Sequence, residues 1–199
     1  MSPRSDPAGR AGRLPSRIEN PADRESVVFL SLPASPDVDP LRFEVHYRAG
    51  GSGAHEHVHP FQHQRIEVRQ GLMGFRLRGI ERIYRPGEVV EVEPGAPHLQ
   101  WNAGDEELVC LQEQRPAGEM EKFLRVVFGL VSDGRMTTLQ SAAVLAEFSA
   151  CTRHVGWRRG IFLLLGVVAR ALGYRGRPAE YYGGGSVSSP SSPDPRPAA

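Results

Sequence analysis

Lysine is nearly missing from this chain: of 24 basic residues only Lys122 is a lysine. We read that arginine skew as a coding bias and not as phosphate recognition. The 23 acidic residues leave a net charge of +1, so no global field favours nucleic acid. Basic and aromatic residues are not interleaved in the way a nucleic-acid surface needs, and no nucleic-acid partner is expected. Cysteine is scarce too. Cys110 and Cys151 are too few for a disulfide framework, and neither sits in a Cys-x-x-Cys pair. The first twenty residues lack the apolar core of a secretory signal, which points to the reducing cytoplasm. The glycines lack the Walker or Rossmann setting, and no Gly-x-Ser-x-Gly elbow appears. No internal repeat is visible.

What is present is enough for one well-packed domain with appendages: 199 residues, 40% hydrophobic and 24% charged, an ordinary globular balance. Residues 1–20, rich in Pro, Gly, Ser and Arg, read as a disordered tail, and so do residues 179–199, with their GGSVSSPSSPDPRPAA run. Residues 21–116 follow a period of two. Phe43, Val45 and Tyr47 alternate with Glu44 and His46. Ile66 and Val68 alternate with Arg65, Glu67 and Arg69. Met73, Phe75 and Leu77 alternate with Gly74 and Arg76. Short alternating strands with Gly and Pro punctuation predict an all-β sandwich or barrel. In residues 117–178 the period lengthens: Met120, Phe123, Leu124, Val127 and Leu130 fall at helical spacing. Two or three helices are expected there.

Two clusters carry candidate chemistry. The first runs from Gly51 to Gly71 and holds His57, His59 and Gln64; the second runs from Gly87 to Asn102 and holds His98. His57 and His59 are two apart on a strand, so both imidazoles leave the same face. Gln64 shares its parity with Ile66 and Val68 and points inward if they do. His98 follows the Pro94-Gly95 turn that feeds a new strand. Three imidazoles converging from neighbouring strands suit a divalent transition ion: iron, manganese, nickel, copper or zinc.

Those clusters resemble the paired motifs of the cupin superfamily. One family motif is a glycine, five residues, His-x-His, three or four residues, a glutamate, six residues and a glycine. The other is a glycine, five residues, Pro-x-Gly, two residues, His, three residues and Asn. The spacings match throughout, with fifteen residues between Gly71 and Gly87. The longer run from Asn20 to Tyr174 is similar to small bacterial cupins with a helical C-terminal extension. The resemblance implies a mainly β fold, a cupin-type antiparallel β-barrel (jelly roll) with that extension. It implies metal ligands at His57, His59 and His98, with Gln64 in the position of the family glutamate. Glu93 replaces a family proline in a turn and carries no functional weight.

His63 is the second choice to stand in for the missing carboxylate, although its parity is that of Arg65 and Glu67. His55 shares parity with His57 and lines the mouth in this reading. Gln100 shares parity with His98. Asn102 suits a turn before Ala103-Gly104, and Trp101 belongs to core or interface. The function expected is a metal-dependent cupin acting on a small organic substrate in an oxygenase- or isomerase/cyclase-type reaction. The competing reading is a non-catalytic cupin that binds a small ligand or docks a partner, which the Glu-to-Gln change at 64 favours. A homodimer is expected, because open sheet edges invite pairing. The IFLLLGVV run at 161–168 is shorter than the roughly 20 residues that span a bilayer. Between Phe148 and Ala179 there are six arginines and no acid. Residues 157–177 are thus a buried helix or a peripheral membrane contact.

Overall fold

The computed structural model describes residues 16–52 and 55–182. Two antiparallel sheets face one another. The larger has six strands in the order β1 (Arg17–Asn20), β2 (Glu25–Ser31), β3 (Leu41–Tyr47), β10 (Leu108–Arg115), β5 (His63–Gln70) and β8 (Val89–Val92). The smaller has five, in the order β11 (Arg153–His154), β4 (His57–Val58), β9 (His98–Asn102), β6 (Met73–Leu77) and β7 (Ile80–Tyr84). This is the expected mainly β, jelly-roll arrangement, built as two sheets with open edges.

Alternation decides which side chains meet between the sheets. Leu41, Phe43, Val45 and Tyr47 of β3 are buried while Arg42 is exposed. Ile66 and Val68 of β5 face Gln112 and Cys110 of β10 in register. Phe75, Met73 and Leu108 complete an apolar floor. Toward the other end the inward positions turn polar: Gln64, Gln112, Gln114, Gln100 and His98 are all buried. The gap between the sheets therefore grades from hydrocarbon to amide and imidazole. At the turn into β6, Gly71 has φ +78°, and a Cβ there would lie 2.7 Å from the Glu107 carbonyl oxygen. Only glycine fits.

The C-terminal segment closes the polar end. In α1 (Met120–Ser132), Met120, Phe123, Leu124, Val127 and Phe128 recur at helical spacing and face the gap. Arg125 is buried on the same helix, paired with Glu121 at 2.8 Å and lying over the Phe29 ring. The second helix, α2 (Thr138–Glu147), starts at Thr137, whose hydroxyl accepts from the Gln140 N–H. The chain then returns to the smaller sheet as β11 before α3 (Gly156–Ala171) packs on α2. Helices α2 and α3 approach closely at Gly166, where a Cβ would lie 3.2 Å from that of Ala146. Arg177 holds the end in place by donating to both carboxylate oxygens of Glu119 at 2.7 Å, and to the Glu147 carbonyl.

Three expectations change. Residues 17–20, assigned from composition to the N-terminal tail, form β1, because Ile18 and Asn20 pair with β2 and Asn20 is buried. The tail as far as residue 15 lies outside the described residues. At the other end, Ala179–Tyr181 form a 3-10 turn, and the Tyr181 ring covers Gly129 of α1; residues 183–199 lie outside the described residues. Finally, the C-terminal extension is not purely helical, since β11 interrupts it and pairs with β4.

Candidate metal centre

His57 on β4 stands opposite His98 on β9, and His59 follows β4 directly. Their ring centroids are 4.4, 4.9 and 5.0 Å apart. One ligand nitrogen from each lies within 4.8 Å of the others. The cross-strand pairing of β4 with β9 produces this convergence, because side chains opposite one another on paired strands share a face.

Each ring is oriented by a main-chain carbonyl. His57 Nδ1 lies 2.9 Å from the His55 oxygen, His98 Nδ1 2.9 Å from that of Ala96, and His59 Nδ1 2.7 Å from that of Cys151. A carbonyl only accepts, so each Nδ1 carries the hydrogen and each Nε2 keeps its lone pair. His98 Nε2 is buried and has no hydrogen-bond partner. Burial holds all three imidazoles below their ordinary range. It is the main cause for His59, brought down to about 3 with help from the His98 charge. It is also the main cause for His57, where His98 and His59 add to it, and for His98. At neutral pH the trio is uncharged, the state in which imidazole binds metal.

Gln64 belongs to the same cavity. Its Nε2 donates to Gln112 Oε1 at 2.9 Å, Gln112 donates to Gln100 at 3.1 Å, and Gln100 donates to the Tyr47 hydroxyl at 2.5 Å. Tyr47 in turn meets Glu25. Gln64 Oε1 is left buried without a partner, an acceptor with nothing to accept. The far end of the chain is acidic. Burial pushes the Glu25 carboxyl up to about 8, against the lowering effect of its bond to Tyr47. Burial, then the Glu25 charge, pushes the Tyr47 phenol well up. A mostly protonated carboxyl and a neutral phenol thus share the cavity with three neutral imidazoles.

The cavity has a volume of about 170 Å³, with an amide and imidazole wall and a roof of Met120, Phe123, Leu124 and Val127 from α1. A second hollow of about 260 Å³, between α2, β11 and α3, shares Leu145, Thr152 and His154 with it. A larger surface depression of about 720 Å³ beside Trp101 and Trp157 touches none of the three imidazoles. Four buried polar atoms of the cavity lining lack a partner: His98 Nε2, Gln64 Oε1, Gln114 Oε1 and His154 Nδ1. Donor type, protonation state and the first two of these fit a divalent transition ion.

The outlying candidates sort by parity. His63 is on the outer face, 3.4 Å from Glu91 and 3.8 Å from Glu93, away from the cluster. His55 lines the cavity and stands near His154. Gln100 faces inward. Asn102 staples a turn, donating to the carbonyls of Tyr47, Arg48 and Glu106 and accepting from the Gly104 N–H. Trp101 packs on the outer side over Gly74.

Sequence reasoning missed the Cys151 carbonyl, His154 and Glu25. It also gave no site role to Tyr47, Gln112 and Gln114. The alternation of Leu108, Cys110, Gln112 and Gln114 on β10 was a readable sign that amides point inward. A main-chain carbonyl on a two-residue strand leaves no such sign.

The family described as "Cupin domain" matches residues 43–112. No curated protein matches the chain. Similar solved structures include a cupin-like protein from Thermotoga maritima, 29% identical over 46% of this chain and 68% of that one, with a TM-score of 0.42. Another is an uncharacterized protein with a double-stranded β-helix domain from Klebsiella pneumoniae, 22% identical over 45% and 75%, with a TM-score of 0.41. A third is an RmlC-like cupin from Shewanella frigidimarina, 17% identical over 52% and 86%, with a TM-score of 0.46.

Proposed function

We propose, on the premise that residues 43–112 are a cupin domain, that this protein holds one divalent transition ion and presents it to a small organic substrate. The ligands are Nε2 of His57, His59 and His98, with Gln64 Oε1 beside them. The observation that carries the reading is the set of three Nδ1–carbonyl contacts, which leaves three Nε2 lone pairs free at one place. A bound ion would supply Lewis-acid polarisation or oxygen activation, the basis of an isomerase/cyclase-type or an oxygenase-type reaction.

The chain's own residues do the rest. The α1 side chains Met120, Phe123, Leu124 and Val127 give the cavity an apolar roof. The cavity equals the liquid volume of about five or six waters at ~30 Å³ each, so it takes a small molecule or one end of a larger one. Glu25, its carboxyl raised to about 8, is the group able to give or take a proton there. The amide chain from Tyr47 to Gln64 fixes where acceptors and donors meet the substrate.

A second reading rests on Gln64: a neutral amide in place of a carboxylate weakens an ion site, and a cupin without metal can serve as a ligand-binding or partner-docking module. Elemental analysis of the purified protein, beside a His57→Ala, His98→Ala double variant, separates the two. Near-stoichiometric iron, manganese, nickel, copper or zinc that is lost in the variant supports the first. No metal in either, even after reconstitution, overturns it.

A further inference from the structure

Helix α3 has two apolar sides, and the fold uses only one. Gly166 and Ala169 are buried, Gly166 against Ala142 and Ala146 of α2. On the opposite side Trp157, Leu164 and Val167 are 73%, 67% and 67% exposed, and Ile161, Leu163 and Val168 are exposed with them. At about 100° per residue these six side chains span an outward arc of roughly 160°. No other element carries so many exposed large apolar residues among the described residues.

The edges of that arc are cationic. Arg158 borders it on the Ile161 side, and Arg159 and Arg170 border it on the Leu163 side. Residues 149–179 contain no acid. The nearby carboxylate, Glu147, is already engaged by Arg170 at 2.9 Å and by Arg177 at 3.4 Å. A second copy of α3 laid on this face would bring arginine against arginine at both edges. An anionic partner meets both the apolar arc and its rim.

We propose that α3 lies in the plane of an anionic lipid bilayer, with Trp157, Ile161, Leu164, Val167 and Val168 in the interfacial layer and Arg158 and Arg159 on the headgroups. An apolar face rimmed by cations is the pattern of an interfacial helix, and tryptophan favours that depth. The helix does not cross, since no helix of the described residues is long and apolar enough. The hollow bordered by Phe162 and Leu163 then opens beside the headgroups and shares Thr152 and His154 with the metal cavity.

The test is flotation of the full chain with vesicles of phosphatidylcholine, with and without about a third phosphatidylglycerol, at low and high salt. Trp157 emission is read in parallel, against a Trp157→Phe control that leaves only Trp101. The expected result is flotation with the anionic vesicles alone, weakened by salt, with a blue shift absent from the control. Leu164→Asp with Val168→Asp, and separately Arg158→Glu with Arg159→Glu, are expected to reduce the floated fraction tenfold or more while circular dichroism stays unchanged. No flotation with anionic vesicles overturns the proposal. So does flotation that survives both pairs of substitutions. A dimer that dissociates on Leu164→Asp, in a protein that does not float, assigns the face to a second copy instead.

Discussion

Gln64 donates its amide hydrogen to Gln112 Oε1 at 2.9 Å, which leaves its own Oε1 buried and unpaired. The partner on β10 thus leaves Oε1, and not Nε2, as the unpaired atom of Gln64. The order of the chain Gln64–Gln112–Gln100–Tyr47 is set by one donor per link.

Gln64→Glu places a carboxylate where the amide oxygen now sits. A fourth, anionic ligand raises affinity for a divalent ion, and the expected gain is about tenfold, or about 1.4 kcal/mol. Competition against a chelator measures it. Gln64→Leu is expected to move affinity the other way. Equal affinities in all three proteins would remove Gln64 from the site.

Thr152→Pro shifts the carbonyl that orients His59. Proline deletes the Thr152 N–H bond to the Phe148 oxygen and restricts Cys151. Losing an orienting partner of a metal histidine costs about 10–100-fold in metal affinity. The same chelator titration reads it, and His57 and His98 keep their own carbonyl partners.

The pH profile of the metal-free protein has two opposed limbs. His59 falls from 6.5 to about 3 on folding, so below pH 6.5 the unfolded chain binds more protons. The stability is complete above that value and is lost as pH drops. Glu25 rises from 4.5 to about 8, so between those values the folded state keeps a proton the unfolded chain has released. That contribution is full at low pH and fades as pH climbs to 8. From pH 6.5 to 8 Glu25 acts without opposition from His59, at up to about 1.4 kcal/mol per pH unit. Glu25→Gln is expected to flatten this alkaline limb in urea denaturation at pH 6.5 and 8, leaving the acid limb in place.

Gly74→Ala tests the outer packing of the smaller sheet. A Cβ there would lie 2.1 Å from the Trp101 ring, so the indole must move. Overpacking of this kind costs about 1–3 kcal/mol, and each kcal/mol lowers Tm by about 2–4 °C in a chain of this size. Calorimetry measures the loss. Metal stoichiometry is expected to stay unchanged, because Trp101 faces away from the cavity.

The readable parts of the molecule were those governed by period and spacing. Alternation in β3, β5 and β6 located the strands and separated His63 from Gln64. The 3–4 spacing of Met120, Phe123, Leu124 and Val127 located α1 and the face it buries. Motif spacing picked out His57, His59 and His98, which the fold brings together. Strand β11 escaped because two residues have no periodicity; pairing with β4 makes them a strand. Arg17–Asn20 escaped because the proline-rich stretch before them masked a short edge strand. Glu25 looked like a solvated acid at a strand start, and only its partner Tyr47, across the β2–β3 ladder, turns it inward.

The contact between His59 and Cys151 joins residues 92 apart, so it can form only after both have been synthesised. Both sheets except β11 are complete in sequence by Arg115, so a chain still on the ribosome can close its apolar floor early. The ring of His59 acquires its fixed orientation only when residue 151 has emerged and β11 has docked. A nascent or prematurely ended chain therefore offers two aligned imidazoles, not three. An ion bound as proposed would then be retained only by the finished molecule.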